Sequence, residues 1–234
     1  MVRNGYLMLG LYAIVDVTSV LAADLEVLPF AEAVLAARPV ALQLRDKSSR
    51  RGGRRMLELL RQLAPMCRSR GVPLLANDRV DLALLAGADG VHVGQDDLPG
   101  GLARDVLARG RGGLVGVSAH NEAEVERALA ERPDYVGLGP VFGTTTKENP
   151  DPTLGLAGLE RLVAMVRAAG LPPVAIGGIR VENAGDVAAR CPSGAVIAGL
   201  CDVERGLPQD ERYARVTARA QELHARLSGG AASP

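Results

Sequence analysis

A chain of 234 residues, 47% of them hydrophobic, is long enough for one sizeable core, and its 27 basic residues balance 27 acidic ones. That balance gives no electrostatic case for nucleic acid or a membrane surface, and a composition without Trp and with two Phe offers no aromatic platform for stacked bases. Every apolar run falls short of the about 18 residues a membrane span needs, no signal-peptide pattern is expected at the start, and the scattered Cys67, Cys191 and Cys201 read as free thiols of a reducing cytoplasm.

The first apolar run, 11–15, ends at Asp16, and a helix is expected over 25–38. A second strand, 40–45, precedes an amphipathic helix over 53–70 that Gly71 closes. The basic cluster Arg50-Arg51 and Arg54-Arg55 at its start reads as a solvated face. Strand three, 73–77, leads to a short helix, 80–86, closed by Gly87. Strand four, 90–94, is followed by a helix near 102–109. Strand five, 114–118, precedes a helix that Asn121 caps. Strand six, 135–139, runs into a long polar loop and a helix near 159–169. Strand seven, 174–177, precedes a helix near 183–190. Strand eight, 195–199, precedes a last helix near 210–227, and 1–10 and 228–234 are expected to be flexible ends.

Buried parallel strands read as such apolar runs. Eight of them alternating with helices imply right-handed crossovers and a closed (β/α)₈ TIM barrel, an α/β fold in a single domain spanning 1–234. A doubly wound sheet is the alternative, but no G-x-G-x-x-G follows the first strand. In either fold, ligands bind beyond the carboxyl ends of the strands.

Polar motifs stand at those ends. Arg45 and Lys47 are spaced to share one side of an extended segment, a planar fork and a point charge suited to phosphate oxygens. Gln43 shares the alternation and could bond a ligand ring. The simpler reading pairs these cations with Asp46 on the surface. Asn77-Asp78 and Asp96-Asp97 end neighbouring strands, where two carboxylates could share Mg²⁺, a hard ion that favours oxygen. They could equally cap helices. The loop from Gly139 to Leu154 carries Thr144, Thr145, Thr146 and Lys147, as a ligand-contacting segment or a solvated lid. Gly177-Gly178 and Gly199 leave backbone open to a phosphate, or simply make tight turns. His120 could act as a base or a cap. His92 reads as a satisfied core residue and His224 as incidental.

Taken together, Gln43-x-Arg45-x-Lys47, Asn77-Asp78, Gly94-Gln95-Asp96-Asp97, Gly116-Val117-Ser118, Gly139-Pro140 with Thr144 to Lys147, and Ile176-Gly177-Gly178 closely resemble the thiamine-phosphate synthase family, over about Leu11 to Glu204. The resemblance implies a transferase that joins a hydroxymethylpyrimidine diphosphate to a (carboxy)thiazole phosphate, releasing diphosphate and carbon dioxide. It implies Asp78 and Asp97 as Mg²⁺ ligands. It implies Gln43, Arg45, Lys47, Asn77, Ser118 and Lys147 at the pyrimidine diphosphate, with Arg45, Lys47, Ser118 and Lys147 catalytic. Thr144, Thr145, Thr146, Gly178 and the backbone at Ala198 and Gly199 would hold the thiazole phosphate. Partners would be these small molecules alone, with no nucleic acid or membrane and with room for a homo-oligomer. The chain departs from the family in having Ala and Gly in the segment Val196-Ile197-Ala198-Gly199, where Ser is frequent, and in Asp16-Val17-Thr18-Ser19. The competing readings are a thiazole tautomerase, which would use His120 as a base, and a non-catalytic phosphate-ligand-binding barrel.

Overall fold

The computed structural model describes residues 9–47, 53–144 and 152–229. Eight strands close into a barrel in sequence order: β1 (Gly10–Asp16), β2 (Ala41–Arg45), β3 (Leu74–Asn77), β4 (Gly90–Val93), β5 (Leu114–Ala119), β6 (Tyr135–Leu138), β7 (Pro173–Ile176) and β8 (Ser193–Val196). All pairs are parallel, and β1 closes the ring by pairing with both β2 and β8. This is the single-domain TIM barrel expected from eight βα repeats.

Each strand has two buried faces of different character, because successive side chains point to opposite sides. Leu11, Ala13 and Val15 of β1, Leu42 and Leu44 of β2, and Val91 and Val93 of β4 pack outward against the helices in the main core. Tyr12, Ile14, Ala41, Leu75, Tyr135, Val174 and Ala195 form a separate cluster inside the barrel. Polar residues of the inner row therefore rise toward the carboxyl ends, where Gln43, Arg45, Asn77, His92 and Ser118 stand.

Helices α1 (Val17–Ala22), α2 (Val27–Leu35), α3 (Arg54–Ser69), α4 (Val80–Ala86), α5 (Gly100–Leu107), α6 (Glu122–Ala130), α7 (Gly155–Ala168), α8 (Ala184–Ala188), α9 (Ala198–Cys201) and α10 (Gln209–Gly229) surround the strands. In α3, Met56, Leu60, Leu63 and Cys67 form one buried stripe at helical spacing. Left-handed Gly87 stops α4. Asn121 caps α6 as expected, accepting the Glu124 N–H at 3.0 Å. Among the described residues no helix is long and apolar enough to cross a membrane.

Two elements differ from expectation. The helix expected over 25–38 is α2, and an unexpected short helix, α1, precedes it, because Asp16 caps a helix directly at the end of β1 and the chain then turns at Asp24, a residue with φ +57°. Strand eight ends at Val196 rather than 199, so Ala198 and Gly199 open the four-residue α9. The last helix runs through Ser228 to Gly229.

Candidate functional site

The carboxyl ends of β1 to β4 gather the charged residues. Arg45 ends β2 opposite Asp16, the last residue of β1, and the two form an ion pair in which the Asp16 carboxylate is almost wholly buried. The other Asp16 oxygen accepts the Ser19 N–H at 2.8 Å and the Ser19 hydroxyl at 2.7 Å, the bonds that start α1. Lys47 donates to Asp78. The alternative reading, a surface pairing of these cations with Asp46, is not the arrangement found. Asp46 is buried with Arg55 Nε 3.9 Å away, while both site cations turn to carboxylates at strand ends.

Asp78 follows β3 in a left-handed conformation, φ +61°, sparsely populated by residues other than glycine. Its backbone N–H is tied to the His92 carbonyl at 2.8 Å, which holds the residue across the top of β4. It does not cap the next helix; Arg79 occupies that position without a side-chain capping bond. Asp97 meets Asp78 there. The Asp97 carboxylate accepts the Gly94 N–H at 2.9 Å. Burial pushes its pKa up first, then the Asp78 charge and a hydrogen bond with Asp78, against the opposing pull of Lys47. Two carboxylates pressed together with one ammonium beside them form a hard-oxygen donor set that a divalent cation would relieve. Among the described residues no third His, Cys, Asp or Glu joins them. The pair therefore fits an ion whose remaining positions are filled by water and phosphate oxygens.

Inside the mouth, Gln43 and Ser118 face one another through a row of rings. Gln43 Nε2 donates to Tyr12 Oη at 2.8 Å, Tyr12 and Tyr135 hydroxyls lie 2.8 Å apart, and His92 bridges Tyr135 Oη at 2.9 Å and Ser118 Oγ at 2.8 Å. Burial lowers the His92 pKa to about 4, so the imidazole is neutral at pH 7. It raises Tyr12 to about 12 and Tyr135 well above its ordinary value, keeping both phenols protonated. His92 is the satisfied residue expected, with both ring nitrogens hydrogen-bonded at the barrel mouth. Asp16, Tyr12 and Tyr135 escaped sequence reasoning, although parity along β1 and β6 puts all three on the inner row.

The other side of the mouth is built from backbone. Val141 N–H bonds the Ile176 carbonyl at 2.8 Å and Phe142 N–H the Gly177 carbonyl at 3.0 Å, extending β6 alongside β7. Leu154 N–H bonds the Pro140 carbonyl at 2.8 Å, which ties the start of α7 to the end of β6. A Cβ on left-handed Gly178 would lie 2.6 Å from the Gly143 carbonyl oxygen, and one on Gly199 2.7 Å from that of Ile179. Glycine thus lets the loops after β6, β7 and β8 touch, with Thr144 and Ala198 half-buried beside them. Thr145, Thr146 and Lys147 lie outside the described residues.

His120 is oriented by Glu124. Its Nδ1 lies 2.6 Å from the Glu124 carboxylate, which also accepts the His120 N–H at 2.8 Å.

A family model described as thiamine monophosphate synthase matches residues 11–200. The chain belongs to the thiamine monophosphate synthase family. It is 42% identical to a thiamine-phosphate synthase of Chloroflexus aurantiacus over 84% of this chain and 83% of that one. It is 43% identical to one of Laribacter hongkongensis over 73% and 77%. Among solved structures, a thiamine phosphate pyrophosphorylase from Pyrococcus furiosus superposes with a TM-score of 0.78 at 28% identity, covering 97% of this chain and 100% of that one.

Proposed function

We propose that this transferase of thiamine biosynthesis is a thiamine-phosphate synthase that couples a hydroxymethylpyrimidine diphosphate to a (carboxy)thiazole phosphate, in the cytoplasm that its free thiols suit. The observation that carries the site assignment is the convergence of Asp78 and Asp97 with Lys47 against them, next to Arg45. Asp78 and Asp97 would hold Mg²⁺, which neutralises charge on the leaving diphosphate. Arg45 and Lys47 supply the protein's share of that neutralisation, and Lys147 a further cation from the loop after β6. Fixed charges of this kind lower the barrier without reorganising at the moment of reaction. Gln43, Asn77 and Ser118 orient the pyrimidine ring. Thr144, Thr145, Thr146, Gly178 and the backbone at Ala198 and Gly199 bind the thiazole phosphate. Breakage of the C–O bond to diphosphate then gives a methylene cation stabilised by the aminopyrimidine, and the thiazole nitrogen captures it. No side-chain base is needed for those two steps, in keeping with a His92 whose two ring nitrogens are both engaged by neighbouring hydroxyls.

The test is thiamine phosphate formation from the two phosphorylated halves. Product is expected with Mg²⁺ and little with chelator. His120→Gln should retain coupling, while Asp97→Ala and Lys147→Ala should lose most of it. Full activity of Asp97→Ala in chelator would remove the two-carboxylate metal site. A wild-type protein that interconverts thiazole tautomers and makes no thiamine phosphate would move the chain to the tautomerase reading.

A further inference from the structure

Five polar side chains cross the barrel mouth in one unbroken chain, from Gln43 on β2 to Ser118 on β5, through Tyr12 of β1, Tyr135 of β6 and His92 of β4. Its middle members occupy room that two glycines vacate. A Cβ on Gly116 would lie 2.0 Å from Tyr135 Cζ, and one on Gly137 3.1 Å from His92 Cε1. The rings are packed as well as bonded, with His92 and Tyr135 stacked at a centroid separation of 5.5 Å.

The direction of the chain follows from counting protons. Gln43 Nε2 can only donate, so the Tyr12 hydroxyl accepts from it and has one proton left to give. Tyr12 is 1% exposed, so that proton has no water to turn to, and its partner is Tyr135. Tyr135, accepting from Tyr12, must donate to His92 Nδ1. Nδ1 is then bare, the imidazole proton is on Nε2, and Nε2–H donates to Ser118 Oγ. Ser118 keeps its own proton for something outside the chain. The reverse order would have Tyr12 accept from both Gln43 and Tyr135 and strand its buried O–H, a cost comparable to a lost hydrogen bond.

We propose that His92 is a positioning residue, locked as the Nε2–H tautomer by a one-way chain running from Gln43 through Tyr12 and Tyr135, so that Ser118 presents its hydroxyl proton to an acceptor atom on the substrate ring. Gln43, at the head of the chain, presents its amide oxygen to a ring donor. The two ends are thereby coupled: turning the Gln43 amide would reverse every proton down to Ser118. The substrate part rests on the synthase reading above, while the tautomer part needs no substrate.

The experiment is a two-bond ¹H–¹⁵N correlation spectrum of histidine-labelled protein at neutral pH, with the three ring systems assigned by His120→Gln and His224→Gln. The expected result is a pure Nε2–H pattern for His92 in the wild type. In Tyr135→Phe it should give way to a mixture, with KM for the pyrimidine diphosphate raised several-fold to about tenfold and kcat changed less. An Nδ1–H or mixed pattern in the wild type overturns the chain direction, and this arm stands even if Tyr135→Phe does not fold. An unchanged His92 pattern in folded Tyr135→Phe overturns the chain itself. Failure of the wild type to make thiamine phosphate would sink the synthase reading and leave the tautomer result intact.

Discussion

Both carboxylate oxygens of Asp16 are committed, one to the first turn of α1 and the other to Arg45. The guanidinium is thus held by a group that itself cannot swing. A planar fork positioned this way can meet two phosphate oxygens at once, which an ammonium cannot. Arg45→Lys is therefore expected to weaken pyrimidine diphosphate binding, within the about 2–5 kcal/mol typical of losing one partner of a desolvated charged contact. Asp16→Asn should act in the same direction, because an Asn can still cap α1 but no longer carries the charge that fixes Arg45. Residues in direct contact do not contribute independently, so the double variant should lose less than the two singles added together. Substrate titration of the four proteins measures this. Unaltered affinity in Arg45→Lys would reduce the pair to a fastening between β1 and β2.

At the level of strands, the inner row alternates bulk with vacancy. Gly116 of β5 lies under the Tyr135 ring, and a methyl group there would overlap it. Gly116→Ala must push the ring aside or spread β5 from β6. Overpacking of this kind costs about 1–3 kcal/mol, and each kcal/mol lowers the melting temperature of a chain this size by about 2–4 °C. A thermal melt unmoved by the substitution would mean the barrel interior is softer than its geometry indicates. The same row marks what could be read from sequence. Apolar runs, closing glycines and the Asn121 cap located every strand, and motifs at strand ends placed Gln43, Arg45, Asn77, Asp78, Asp97 and Ser118 around one mouth. Parity was the neglected signal. The runs are apolar on both faces, so Tyr12, His92 and Tyr135 look like core until the inner face is separated from the outer. Helix α1 was hidden because Asp16 reads as a strand end, and its capping role depends on Ser19 folding back over it.

For the molecule as a whole, burying a polar chain inside the barrel ties stability to pH. The His92 pKa is lowered to about 4 in the fold, chiefly by burial and against the nearby Asp97 charge, from an ordinary 6.5. A group whose folded pKa lies below its unfolded value resists protonation only in the fold. Above about pH 6.5 both states leave it neutral and it contributes nothing to the pH dependence. Between about 6.5 and about 4 the unfolded chain takes up a proton that the fold refuses, so stability falls as pH falls. Below about 4 the folded imidazole is protonated too and its contribution levels off. The span corresponds to a loss of about 3 kcal/mol from this one ring. Asp97 works in the opposite sense, because its raised pKa means that acid relieves the repulsion from Asp78. Asp81 and Glu124, with lowered values, lose stabilisation only as pH falls toward and below the ordinary carboxylate range. Denaturant unfolding of the wild type and of His92→Gln at a series of pH values separates these contributions. The variant starts from a lower stability, since it breaks the chain to Ser118, but its decline between pH 6.5 and 4 should be shallower. Parallel declines would mean that His92 is protonated in the fold as readily as in the unfolded chain, and the neutral, one-way relay across the barrel mouth could not then hold.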